Sequence, residues 1–138
     1  MIKLGLIGTP IAHSLSPDIH REFMAAAGIQ GSYDLFEMYT LPKEGLKSFM
    51  QTKKLIGLNV TIPFKEEVFN ALDRVDEVTK ALGVVNTIVL ENDTLVGYNT
   101  DVYGIQRSLM TLGCKPCKAL VFGSGGAAKA VSKVLKDN

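Results

Sequence analysis

The 138-residue sequence predicts an α/β fold, with a mostly parallel sheet flanked by helices and one antiparallel hairpin, followed by the first strand-turn-helix of a Rossmann-type domain. Three observations predict it. Strand-like and helix-like segments alternate from Lys3 onward, the pattern of parallel strands joined by helical crossovers. Two strand-like runs, Val84 to Leu90 and Thr94 to Tyr98, flank the polar turn Glu91-Asn92-Asp93, as in a hairpin. A glycine-rich turn beginning at Gly123 stands between an apolar run and a helical one.

The elements follow in order. Lys3 to Ile7 is a first strand; with no basic flank and no small-residue cleavage site, the N-terminus reads as a buried strand rather than a signal peptide. Ser16-Pro17-Asp18 opens a helix, with Ser16 as N-cap, Pro17 at the first helical position and Asp18 favoured by the dipole. Ile19, Phe23 and Ala26 keep helical spacing, and Gly28 ends the helix. Ser32 to Tyr39 is a second strand. Pro42 to Lys53 is a second helix with Leu46, Phe49 and Met50 on one face. Leu55 to Ile62 is a third strand closed by Pro63, and short helices cover Lys65 to Leu72 and Asp76 to Leu82. After the hairpin, Val102 to Leu112 is a helix ended by Gly113. Lys118 to Phe122 is a new buried strand, and Gly126 to Lys136 a helix. The organisation expected is one unit over residues 1–101 and, over 102–138, a linking helix with the opening of a second unit.

Composition narrows the function classes. With 15 basic and 14 acidic residues the net charge is +1 and no Lys/Arg run is present, so no nucleic-acid partner is expected. No apolar stretch approaches the ~18 residues of a membrane span, so no membrane partner is expected and a cytoplasmic address follows. Cys114 and Cys117 have C-x-x-C spacing, but the pair precedes an apolar strand rather than opening a helix. His13 and His20 lie far off as further zinc ligands. The two cysteines read as linker thiols, and no metal is expected.

Ligands of open α/β sheets gather at the carboxyl ends of strands. That rule puts His13 to Ser16 after the first strand and Thr61 to Lys65 after the third, bordering one crevice. Asn86 lies in the hairpin, and Asp101 follows its second strand. Ser14 and Ser16 read either as plain helix caps or as hydroxyl donors to a carboxylate at a helix N-terminus. Lys65, in Lys-Glu-Glu, reads either as a solvated face or as a proton donor, and Asp101 either as an N-cap or as the lysine's partner. If Lys65 and Asp101 meet in the crevice, the lysine can protonate the alkoxide left by hydride reduction of a carbonyl, with the carboxylate orienting the ammonium. Asn59, Thr61 and Asn86 then serve as neutral hydrogen-bonding groups for substrate hydroxyls or for the lysine.

Gly123-x-Gly125-x-x-Ala128 fits the dinucleotide fingerprint with alanine for the third glycine, and it lacks the Gly-Lys-Ser/Thr ending of a Walker loop. Gly123 permits the tight turn, Gly125 the approach of a phosphate, and Ala128 close helix–strand packing. Together with the lysine and carboxylate, this turn points to a dehydrogenase.

Five segments, Gly8 to Pro17, Asn59 to Lys65, Gly83 to Thr87, Gly97 to Gly104 and Gly123 to Ala128, resemble the shikimate dehydrogenases in order and spacing over essentially the whole sequence. The resemblance implies NADP-linked, reversible reduction of 3-dehydroshikimate to shikimate, on the route to aromatic amino acids. It implies that Ser14 and Ser16 hold the substrate carboxylate and that Thr61, Asn86 and Asp101 bind ring hydroxyls. Lys65 and Asp101 would form the catalytic pair. Gly123, Ser124, Gly125, Gly126, Ala127 and Ala128 would line the cofactor pyrophosphate. Keeping both serines favours shikimate over quinate.

The resemblance also implies a longer protein. Lys118 to Asn138 supplies one strand and one helix, whereas a βαβ unit takes about 30 residues or more. The residue that separates NADP from NAD is expected about 20 positions past the turn. The expectation is therefore a substrate-binding part with little turnover of its own. Two alternatives stand beside it, a non-catalytic shikimate-binding module and a quinate dehydrogenase. The apolar face of the last helix is expected to pack against another copy, as a homodimer or by self-association, or else to stay poorly ordered.

Overall fold

A computed structural model describes residues 1–115 and 117–137. Its strands are β1 (Ile2–Gly8), β2 (Gly31–Glu37), β3 (Gly57–Val60), β4 (Arg74–Val75), β5 (Thr87–Glu91) and β6 (Thr94–Tyr98). They form one sheet in the order β2-β1-β3-β5-β6-β4. β1 pairs in parallel with β2 and β3, and β4 in parallel with β6, while β5 runs antiparallel to both β3 and β6. The helices are α1 (Ser16–Ala26), α2 (Leu46–Lys53), α3 (Glu77–Leu82), α4 (Asp101–Thr111) and α5 (Gly126–Asp137). The mostly parallel sheet with one antiparallel strand is the one the sequence predicts.

The core lies where β1, β3, β5 and β6 meet α2. Ile7, Phe49, Met50, Leu58, Phe64 and Ile88 belong to one buried cluster, and Phe36 packs edge-on to Phe49 with centroids 5.2 Å apart. In the hairpin, Asn92 and Asp93 take φ of 46° and 66°. A two-residue turn matched to strand twist requires left-handed backbone at both positions, and Asn and Asp tolerate it.

Several local expectations are corrected. Pro42 to Gly45 form a turn, closed by the Gly45 N–H on the Pro42 carbonyl (3.0 Å), so α2 starts only at Leu46. The helix expected over Lys65 to Leu72 is a short 3₁₀ segment, Glu67–Ala71. The Lys65 carbonyl is already taken by the Val85 N–H (2.8 Å), which denies an α-helical bond to the fourth residue on. Ser16 does not cap α1. Leu15 occupies the cap position, and Ser14 Oγ accepts from the Ser16 N–H (3.2 Å). β4 was not expected, and at two residues it is too short to show a period.

The largest correction is at 118–122, where no strand forms. Leu120 and Phe122 are 79% and 88% exposed. A strand needs a paired neighbour for its backbone groups, and among the described residues none lies beside it. α5 forms nonetheless and is not left bare: it packs against α3 and α4, with Ala130 and Val134 buried. Part of the face expected to await another copy, Ala130 and Val134, is thus covered within this chain, while Ala127 and Leu135 stay exposed. Both Ile62-Pro63 and Thr9-Pro10 are cis. Among the described residues no helix is long and apolar enough to cross a membrane.

Candidate active site

The sheet brings the expected residues to one edge for a simple geometrical reason. β1, β3 and β6 end there, so the segments after them carry Ser14 and Ser16, Thr61 and Lys65, and Asp101. β5 runs the other way, so its amino end lies at the same edge and delivers Asn86. A cleft of about 350 Å³ opens there, lined by Pro10, Ile11, His13, Ser14, Ser16, His20, Asn59, Thr61, Lys65 and Asn86, with Leu6 and Val60. Its size is that of a small-molecule site. The lining offers one lysine, two histidines and two serine hydroxyls and no carboxylate, a set that suits an anionic ligand.

Lys65 Nζ donates to Asp101 Oδ2 at 2.8 Å, with the two side chains 19% and 29% exposed. Asp101 does not line this cleft. It lines an adjoining one of about 520 Å³ between α4 and α5, which Lys65 also borders. The pair therefore stands between two openings. Asn86 holds the other carboxylate oxygen, donating from Nδ2 to Asp101 Oδ1 (2.8 Å) and to Thr100 Oγ1 (2.9 Å). Its Oδ1 accepts from the Thr100 N–H (3.0 Å) and from Thr87 Oγ1 (3.0 Å). Asn86 is thus saturated by the protein and acts first as a brace for Asp101. The Asp101 N–H is bound by Asn99 Oδ1 at 3.0 Å, so the carboxylate is fixed from backbone and side chain together.

Asn59 is engaged by Tyr33, Thr87 and the Asn86 carbonyl rather than by Lys65. Sequence reasoning missed Tyr33, His20, Thr87 and Thr100. The available signal was Asn59 itself: an amide inside the apolar strand Leu58-Asn59-Val60 must find polar partners on its own face of the sheet. His20 stacks on Tyr33 with ring centroids 4.2 Å apart and bonds through Nδ1 to the Ser16 carbonyl (2.9 Å). Burial pushes the Tyr33 phenol up to about 12, opposed by a hydrogen bond from the Ser16 hydroxyl.

The glycine turn meets the same site from the far side. Gly123 takes φ 114°, which only glycine adopts readily, and Gly125 has open space where a Cβ would lie. At Gly126 a Cβ would stand 2.8 Å from Val84 Cγ1 and 3.5 Å from Lys65 Cδ, so α5 starts directly against the stem of the lysine. Lys129 of α5 pairs with Glu66 at 2.8 Å. Gly123 and Gly125 thus leave the backbone open ahead of the helix start at Gly126, an arrangement able to receive a pyrophosphate, although the strand that precedes such a turn is not formed.

Fold and cleft together place the chain in a class, the α/β substrate-binding domains that hold a small ligand at the carboxyl ends of their strands. Within that class the chain belongs to the shikimate dehydrogenase substrate binding domain family, whose model matches residues 6–88. The shikimate dehydrogenase (NADP(+)) of Bacillus subtilis (strain 168) is 42% identical over 137 residues, covering 97% of this chain and 49% of its own. The crystal structure of shikimate dehydrogenase 1 from Peptoclostridium difficile superposes with a TM-score of 0.90 at 34% identity, over 99% of this chain and 52% of that one. The Thermus thermophilus enzyme, solved with NADP(H) and shikimate, gives 0.87 at 34% identity, over 99% and 52%. The chain spans about half the length of the curated relatives it matches.

Proposed function

We propose that this chain carries the shikimate site and the proton-transfer pair of an NADP-dependent shikimate dehydrogenase, which interconverts 3-dehydroshikimate and shikimate. The observation that carries the reading is the 2.8 Å Lys65–Asp101 contact at a cleft that also presents Ser14 and Ser16 and no acidic group. Residues 1–101 form the substrate-binding unit, and 102–138 the linking helix and the start of the NADP-binding unit.

The substrate carboxylate is held by the Ser14 and Ser16 hydroxyls, on the side of the cleft where α1 begins. Thr61, with Asp101 beside Lys65, orients the ring through its hydroxyls, and Asn86 keeps the Asp101 carboxylate in place. Lys65 faces the carbonyl oxygen and donates its Nζ proton as negative charge develops there; in the reverse direction it takes that proton back. Asp101 holds the ammonium in place and stabilises it by charge. Gly123 to Ala128 hold the pyrophosphate of NADP, which when bound supplies or accepts the hydride at the ring carbon.

The test uses the 138-residue chain and reads binding. Shikimate is titrated against labelled protein while backbone amide signals are followed, with quinate as the competing acid. Saturable shifts at Ser14, Thr61, Lys65 and Asp101 are expected. Ser14→Ala should weaken them by about tenfold or more, the value of one hydrogen bond to a charged group. Absence of saturation with shikimate, or tighter binding of quinate, would overturn the reading.

A further inference from the structure

A second set of side chains reaches the Lys65–Asp101 pair from beneath the cleft. Tyr33, on β2, lies across β1 from Asn59 and donates its hydroxyl to Asn59 Oδ1 on β3 (2.8 Å). Asn59 Nδ2 donates to the Asn86 carbonyl (3.2 Å) and to Thr87 Oγ1 (3.1 Å). The Thr87 hydroxyl, having accepted, donates onward to Asn86 Oδ1 (3.0 Å), and Asn86 Nδ2 donates to Asp101 Oδ1 (2.8 Å). Both amides have only one workable orientation. Asn59 faces a backbone carbonyl, which can only accept, and Asn86 faces the Thr100 N–H, which can only donate. All donors thus point one way, from the phenol to the carboxylate.

We propose that Tyr33 is a positioning residue for the Lys65–Asp101 pair, acting through Asn59, Thr87 and Asn86. The proposal rests on the reading of Lys65 and Asp101 as the proton-transfer pair. Aligned hydrogen bonds in a low-dielectric interior polarise one another, so a donor at one end stiffens the acceptor at the other. The phenol suits this task because burial keeps it protonated, and therefore a donor, up to about pH 12. Its ring is held from α1 by the His20 stack, so the helix that carries Ser16 also aims the first donor of the chain. Phenylalanine would fill the same space; the hydroxyl matters to Asn59.

Side-chain amide NMR of the 138-residue chain tests this, with Asn99 as internal control. The Asn99 amide also touches Asp101, its Oδ1 accepting from the Asp101 backbone N–H, and its Nδ2 donates to the Val84 carbonyl, but it lies outside the chain from Tyr33. Tyr33→Phe and Thr87→Val should shift the Asn86 amide signals and the Asp101 carboxyl carbon. They should also speed Asn86 side-chain exchange with solvent by about two- to tenfold, the value of one hydrogen bond. Thr87→Ser should restore the parent spectrum, and Asn99 should stay put throughout. An unmoved Asn86 in Tyr33→Phe, or Asn86 and Asn99 moving together, would overturn the proposal. The first means no coupling and the second general loosening. Shikimate titration of the same samples separates the two readings. Coupling without ligand saturation retires the substrate assignment alone, and saturation without coupling retires the positioning role alone.

Discussion

At residue 73 one carboxylate ties three segments together. Asp73 Oδ2 accepts from the Leu95 N–H on β6 at 2.7 Å and pairs with Lys47 of α2 at 3.1 Å. The Leu95 bond first, and Lys47 second, hold its pKa below the ordinary 3.8. A carboxylate whose folded pKa is depressed stabilises the fold above its unfolded value, and that stability disappears as pH falls through the folded one. Asp73→Ala should therefore lower Tm at pH 7, and the difference from the parent should narrow below about pH 4. Thermal melts across pH 2 to 7 check it; a constant difference would mean that Asp73 acts through packing alone. Lys65–Asp101 is built from the same chemistry but stands in a cleft that a ligand can enter, and this separates a site from a strut.

Among the elements, α5 is the most consequential placement. Gly126 sits where a methyl group would collide with Val84, which is fully buried and has no room to retreat. Gly126→Ala should cost about 1–3 kcal/mol in denaturant unfolding, despite alanine's better helix propensity, and should move the Lys65 signals. An unchanged midpoint would show that α5 can ride outward without loss. The elements also show how far the sequence could be read. β1, β2, β3 and the hairpin were legible because their apolar runs are bounded by Gly, Pro and polar turns. α1, α4 and α5 were legible from helical spacing. The failures have local causes. The Lys65 carbonyl is claimed by Val85, which cuts a helix to a 3₁₀ turn, and Ser14 rather than Ser16 meets the free N–H. The run at 118–122 has strand composition, but pairing is a tertiary fact that composition does not contain. In the site, Ser14, Ser16, Thr61, Lys65 and Asn86 were legible as residues that strand ends bring to one cleft, and Asp101 as the partner of Lys65, which it meets from the adjoining opening. Tyr33 was not, because its contact with Asn59 depends on the order of strands across the sheet.

For the molecule as a whole, Leu120 and Phe122 are among the most exposed large apolar side chains, at 79% and 88%. Exposed groups of this size next to each other favour association in water. In sedimentation velocity the 138-residue chain should gain mass with concentration, and Phe122→Ser should suppress the gain. A concentration-independent monomer would show that the segment is shielded in solution.

The strand order carries a last consequence, for the route by which the chain folds. β3 pairs with β1, far behind it in sequence, and with β5, well ahead of it, so two long loops must close before the middle of the sheet exists. Such non-local pairings are slow to form because the entropy of closure is spent before the contacts repay it. Lys65 leaves the end of β3 and Asp101 follows β6, so they meet once β3 has paired with β5 and β5 with β6. The ammonium–carboxylate contact should then form only after the long β3-to-β5 loop has closed, and a fluorinated or isotopically labelled Asn86 between them would be a clock for its completion.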